Sequence, residues 1–553
     1  MRAKQRWGWL LLLAVMVAAP VIGGCVSWPD ERRATFGLKF PPPAADEQPT
    51  AILFMIDGVN AEIFRTMLDE GRLPNIRKYV VDRGLYIERA VCSVPGVTLP
   101  NETSLVTGLL PGRHNVTGIN WFDRNSLIYR EYDTVPQKNM LDGDYTAPTI
   151  FERFPDATTM SVFFQAHRGA SKFIEDAMMG GGPFAFGWYG MVDRLTLSQF
   201  DIVAEVATAQ KAFPKIVFGY LLSTDMQAYA HGVSSKEYQG ALEHTDAHLG
   251  RLFRDLDAAG RLDKTILALV SDHGMVDVKH HGCVAGMMRD VWNVDVAPDH
   301  LWESTPFEKR LAAYDKHACV LAGSGQRYCA LYLRKPRAGA ATGGNAAFEN
   351  WLARPTPEDL RHYPTRDGKR LDLIGLLMGA DAVDVLAYRA APNVVHVMTK
   401  KGLAEVTRSG PDGRRFALRT LKGEDPLGYR ETVPAGLLDG APHGEREWLE
   451  GTAQSSYPDL VPQIVVYFDA PRAGDMAIFA ALDWDFCEGK QGGHGSLRAE
   501  DMYTFMALAG PGVPHERRKG PERTVSFSPT ILDLLGRPIP PGLDGRSVIR
   551  KQD

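Results

Sequence analysis

Three apolar runs in the first half of the chain show no polar alternation, and each closes on an aspartate. They are TAILFMIDG (50–58), KIVFGYLLSTD (215–225) and TILALVSDHG (265–274). Runs of this length, apolar on both faces, predict central strands of a parallel sheet. Helical periodicity lies between them. SSKEYQGALEHTDAHLGRLFRDLDAAG carries apolar residues at Tyr238, Leu242, Leu249, Leu252 and Leu256, opens with a Ser234/Glu237 capping box and ends in glycine. VTLPNETSLVTG (97–108) predicts a second helix start, with Thr98 as its N-cap and Pro100 in the first turn. Strand alternating with helix predicts an α/β fold, a mostly parallel sheet covered by helices on both faces.

The texture changes from about 281 to 460. Gly, Pro and charged residues become frequent and the strand signals short, so the stretch reads as an insertion or cap over the sheet edge. Strand-like runs return in QIVVYFDAP, AIFAALDW and MYTFMALAGPGV. The catalytic core is therefore expected to be split into residues 49–280 and 461–553. The amino terminus stands apart. MRAKQRWGWLLLLAVMVAAPVIGGC has a basic start, an apolar stretch and small residues ending at Cys25, the form of an export signal. VIGGC resembles a bacterial lipobox, which would make Cys25 a lipidated first residue. The expectation is an exported, membrane-anchored lipoprotein with residues 26–48 as a tether.

Composition removes several alternatives. The net charge is −5 with acids and bases interspersed, so no nucleic-acid-binding surface is evident. Beyond Cys25 the cysteines are Cys92, Cys283, Cys319, Cys329 and Cys487, with no CxxC spacing, which argues against a cysteine zinc site. Cys319–Cys329 is the most local candidate disulfide.

In open α/β sheets, ligands bind beyond the carboxyl ends of the strands. Asp57, Asp225 and Asp272 cluster on that edge, His273 follows the last of them, and GGHGS contributes His494. Mixed carboxylate and imidazole donors without thiolates suit zinc, with manganese or another divalent ion as the alternative. Two such ions form a clamp for displacement at phosphorus. In that setting Thr98, at a helix amino terminus, can serve as an activated nucleophile, and Asn101 can donate to a phosphate oxygen.

FMIDG, VTLPNETSLVTG, VSDHGM and GGHGS occur in that order. Together they resemble the type I phosphodiesterase/nucleotide pyrophosphatase branch of the alkaline phosphatase superfamily, over roughly residues 50–280 and 460–550. The resemblance implies an alkaline-phosphatase-like fold and a small-molecule phosphate ester or nucleotide substrate. It implies one metal on Asp57, Thr98, Asp272 and His273, and a second on Asp225, a following histidine and His494. Thr98 would pass through a phosphothreonine, with Asn101 as oxyanion donor. Two positions depart from the family pattern. Glu102 stands where histidine is usual, at the expected pocket wall. The Asp-x-x-x-His spacing places Tyr229 at the ligand position, with His231 two residues later. Reading 225–233 as loop favours His231 as the ligand and Tyr229 as a pocket residue. Two further readings stay open: a phosphoryl or phosphoglycerol transferase on the same fold, and a binding module that has lost its second metal.

Overall fold

The computed structural model describes residue 39 and residues 49–549, apart from 135, 176–182, 299, 339–346 and 487–488. Cys25, the export signal, the tether apart from residue 39, and Cys487 fall outside the described residues. The three apolar runs form β1 (Thr50–Ile56), β2 (Ile216–Leu221) and β3 (Thr265–Val270). β1 pairs in parallel with both of the others and is buried at every position. They occupy the centre of a nine-stranded sheet. The strand Tyr503–Ala509 runs antiparallel between β3 and Gly84–Val91, so the sheet is mostly, not wholly, parallel.

Four helices matter for the site. α1 (Thr98–Thr107) starts at Thr98 with Val97 as its N-cap, so Thr98 is the first helical residue and not the cap itself. α2 (Tyr189–Gln210) and α4 (Lys236–Ala258) flank a short α3 (Ser223–His231). α4 is capped by Ser235, whose hydroxyl accepts the Tyr238 amide; Ser234 instead donates to Asp277. The cap therefore sits one residue later than the Ser234/Glu237 box predicts.

The loop expected over 225–233 is a helix. Its start is stabilised by a carboxylate far away in sequence: Asp193 of α2 accepts the amides of Leu222 (2.8 Å) and Ser223 (3.2 Å), together with the Ser223 hydroxyl. These donors at a helix start have no intrahelical partner, and a carboxylate there also opposes the helix dipole. The helix ends at Gly232, whose φ of 81° an L side chain rarely adopts.

The insertion is a second sheet of eight strands, and it does not stop at residue 460. β4 (Cys319–Ser324) and β5 (Tyr328–Leu333) form an antiparallel hairpin, and Met476–Ala480 pairs with β5 and with Val383–Ala391. AIFAALDW thus supplies this sheet and not the catalytic one. QIVVYFDAP is not a strand either: Leu460–Tyr467 is a helix buried at all eight residues. Its Ile464 belongs to one continuous apolar cluster that includes residues of both sheets, among them Leu53, Val270 and Val397. Within the β4–β5 hairpin Cys319 lies opposite Leu333 and Cys329 opposite Gly323, and both are free thiols. The register holds them apart, so the local disulfide is not formed.

Candidate metal centre and nucleophile

The carboxyl ends of β1 and β3 deliver Asp57 and the Asp272–His273 pair, and the first turn of α3 delivers Asp225. Gly58 makes this convergence possible. Its φ is 64°, and a Cβ there would lie 3.0 Å from the Asp225 carboxylate. His494 arrives from the carboxy-terminal part, its amide donating to the Gly325 carbonyl. Two donor groups result, Asp57–Asp272–His273 and Asp225–His273–His494, each with its ligand atoms within 4.8 Å of one another and all buried.

The imidazoles are held ready for a cation. His273 donates Nδ1–H to the Gly274 carbonyl at 2.9 Å, and His494 donates Nδ1–H to the Gly96 carbonyl at 2.8 Å. A carbonyl only accepts, so each ring keeps an unprotonated Nε2 facing the site. Burial pushes the His273 pKa down to about 3; burial and neighbouring His273 push that of His494 well below its usual value. Neutral imidazole is the ligating form.

His273 Nε2 lies 3.1 Å from Asp272 Oδ2 and 3.4 Å from Asp57 Oδ1. Those are acceptors facing an acceptor. Both carboxylate oxygens, and Asp225 Oδ1, are buried with no hydrogen-bond donor from the protein. Burial and mutual repulsion push the carboxyls of Asp57 and Asp225 well above their ordinary range. A bound divalent cation resolves all of this, and the Asp57–Asp272–His273 group fits one. The Asp225–His494 side differs. There the Tyr229 hydroxyl lies 2.6 Å from His494 Nε2, and Asp225 Oδ1 is 3.7 Å from that nitrogen.

Thr98 belongs to this cluster, its Oγ1 3.2 Å from His273 Nε2. Asn101 does not. It is fully buried, its amide donates to the carbonyls of Ser93, Pro95 and Val97 at 3.0–3.2 Å, and its oxygen accepts the Ser93 amide at 2.7 Å. Side chains on a helix lean toward its amino terminus, so Asn101 closes over the loop leading into Thr98 and is not a free oxyanion donor. Glu102 is likewise not a pocket wall. Its buried carboxylate accepts the amides of Gln165 and Ala166. His231 is exposed at the end of α3, while Asp225 and Tyr229, one turn apart, face the site. The structure therefore brings Tyr229, not His231, to His494.

Sequence reading missed Tyr220. It is the penultimate residue of β2 and donates its phenol to Asp57 Oδ2, leaving Oδ1 for the candidate cation. A tyrosine in an otherwise apolar strand, one residue before its end, was the available signal.

A mostly parallel α/β sheet with metal-ready donors on its carboxyl edge, beside a hydroxyl opening a helix, defines an alkaline-phosphatase-like protein with a candidate metal centre. The family profile described as type I phosphodiesterase / nucleotide pyrophosphatase matches residues 51–339, more than half of the chain, and the chain belongs to that family. Among curated relatives, it is 23% identical over 279 residues to an uncharacterized pyrophosphatase/phosphodiesterase of Schizosaccharomyces pombe, covering 46% of this chain and 54% of that one. It is 27% identical over 238 residues to ectonucleotide pyrophosphatase/phosphodiesterase family member 1 of Rattus norvegicus, covering 42% of this chain and 25% of that one. The matches thus span about half or less of those relatives' length. Murine ectonucleotide pyrophosphatase/phosphodiesterase 5 shares the fold, with a TM-score of 0.51 at 14% identity, covering 89% of this chain and 96% of that one. An inactive threonine-to-alanine form of the murine protein, solved in complex with AMP, gives the same TM-score.

Proposed function

We propose that the chain is a phosphoric ester hydrolase, a phosphodiesterase or nucleotide pyrophosphatase, working through a covalent phosphothreonine at Thr98. The observation that carries this reading is the placement of Thr98 Oγ1 beside His273 Nε2, on the first residue of a helix and next to both donor groups. Asp57, Asp272 and His273, with Thr98, would hold one divalent cation. Asp225 and His494 would hold a second, more weakly, because Tyr229 shares His494 Nε2. Zinc suits these donors best, and when bound the ions would polarise the phosphoryl group and stabilise anionic oxygens.

The chain's own residues carry the rest. Thr98 Oγ forms the new bond to phosphorus as the bond to the leaving oxygen breaks, and its proton leaves with the departing alcohol or phosphate. Water then attacks phosphorus, the bond to Oγ breaks, and Thr98 regains a proton. Of the first turn of α1, Pro100 has no N–H and the Asn101 amide goes to the Val97 carbonyl, so the Thr98 and Leu99 amides are the ones left to favour an anion there. His273 and His494 stay neutral because they are buried, and their Nδ1–H bonds to carbonyls fix the tautomer that leaves Nε2 free. The names of the relatives support a nucleotide or other small phosphate ester as substrate, and the inactive threonine variant bound to AMP supports an essential threonine with a nucleotide ligand.

Export with lipidation at Cys25 is part of the same proposal. No helix among the described residues is long and apolar enough to cross a membrane. Palmitate labelling that is lost in Cys25→Ala supports the lipid anchor; an unlabelled wild-type product removes it. The hydrolase reading is tested with zinc-loaded protein on a p-nitrophenyl phosphodiester and on ATP. Turnover and a trapped phosphopeptide spanning Thr98 are expected. Turnover that survives in Thr98→Ala would exclude the covalent route.

A further inference from the structure

Resting on the reading of His494 as a metal ligand, we infer that the buried Arg327–Asp501 pair positions His494, the histidine that only the second donor group uses, and that through it the second sheet sets the second metal site. Arg327 is fully buried at the start of the β4–β5 hairpin's return strand, and its guanidinium grips Asp501 bidentately at 2.8 and 3.1 Å. Its remaining nitrogen donates to the carbonyls of Ala481 and Trp484. Asp501 in turn reaches both histidine loops. Its Oδ1 accepts the Ser496 amide at 3.1 Å, two residues after His494, and its backbone carbonyl accepts the Gly274 amide at 2.9 Å, next to His273.

The hairpin tip bears directly on the same imidazole. His494 donates its amide to Gly325 and accepts the Arg327 amide on its carbonyl, at 2.9 and 3.1 Å. Gly325 has a φ of 62°, and a Cβ there would lie 2.8 Å from the His494 ring. The His273 and His494 rings stack with centroids 3.6 Å apart. One carboxylate and one guanidinium thus fix the His494 loop, while the main chain of Asp501, not its side chain, holds the His273 loop. Neither residue touches the ligand atoms; both act through the loops they hold, as outer-shell partners do.

The test is zinc binding to the full chain, measured by competition with a chromogenic chelator, for wild type, His494→Ala, Arg327→Met/Asp501→Asn and Arg327→Lys. Replacing both members of a buried pair avoids leaving one charge stranded, so the double variant should fold and melt cooperatively. Expected is a wild-type first binding step and a second step weakened by roughly 10–100-fold, the range typical of lost outer-shell partners. A purely structural pair would weaken both steps or neither. Two unaltered steps in the double variant, with one lost in His494→Ala, would overturn the inference. Should the double variant not fold, Arg327→Lys decides, because it keeps the charge and loses the fork; an unchanged second step there overturns the inference equally. If His494→Ala itself binds both ions normally, the metal reading of His494 fails first, a result distinct from failure of the pair.

Discussion

The hydroxyl of Tyr229 donates to Nε2 of His494 across 2.6 Å, at the one nitrogen of that ring left free for a cation. Asp225 sits one helical turn before Tyr229 on the same face of α3. A histidine at 229 would point a neutral imidazole where the phenol now lies. Tyr229→His is therefore expected to tighten the second zinc step, and Tyr229→Phe, which frees His494 Nε2, to leave it at least as tight as in wild type, while His494→Ala loses it. His231→Ala should keep the metal content and turnover of wild type. Titration with zinc under chelator competition checks the ranking, and loss of an ion in His231→Ala would show that α3 rearranges on binding.

Thr98→Ala removes the proposed nucleophile while leaving α1 intact, because Val97, not Thr98, occupies the cap position. Turnover should fall by several orders of magnitude with an unchanged melting temperature. Thr98→Ser keeps the hydroxyl and should retain part of the activity. Steady-state rates beside thermal melts separate the two variants.

Asn101→Ala should behave as a stability variant. Four hydrogen bonds to the backbone of residues 93–97 are lost; the Pro95 and Val97 carbonyls keep the Val97 and Asn101 amides, but the Ser93 N–H and C=O are stranded, and stranded buried polar groups cost about 1–3 kcal/mol each before relaxation or water entry. A lower denaturation midpoint is expected together with a fall in turnover, since the loop that aims Thr98 loosens. A loss of turnover at unchanged stability would restore the oxyanion role that the sequence suggests.

His114 gives a pH dependence of stability. Its Nε2–H lies 3.1 Å from the Pro100 carbonyl and 3.0 Å from the Ser104 hydroxyl, while its Nδ1 accepts the Val116 amide at 3.2 Å. Both nitrogens are engaged in the neutral form, and burial pushes the pKa down to about 3 from 6.5. The folded value lies below the unfolded one. The contribution is therefore complete above about pH 6.5 and is lost as pH falls toward 3, amounting to on the order of 4 kcal/mol. Denaturant midpoints for wild type and His114→Gln between pH 7 and pH 4 should converge as pH falls. Parallel curves would show that His114 does not titrate in this range.

The unbroken apolar runs of β1, β2 and β3 were legible because a strand buried on both faces has to be apolar at every residue. The aspartates that close those runs mark where burial ends at the carboxyl edge, so Asp57 and Asp272–His273 could be placed from the chain alone, and the order of the short motifs added Thr98 and His494. Tertiary structure decided the rest. α3 forms because Asp193, thirty residues away, accepts amides at its start. Met476–Ala480 joins the second sheet because its edge partners are β5 and Val383–Ala391. Asn101 faces its own entry loop, Tyr229 meets His494 across 265 residues, and Arg327 meets Asp501 across 174. Periodicity along a chain records which face of an element is covered. A hydrogen bond between distant residues leaves no period, since its partner is set by how the elements pack.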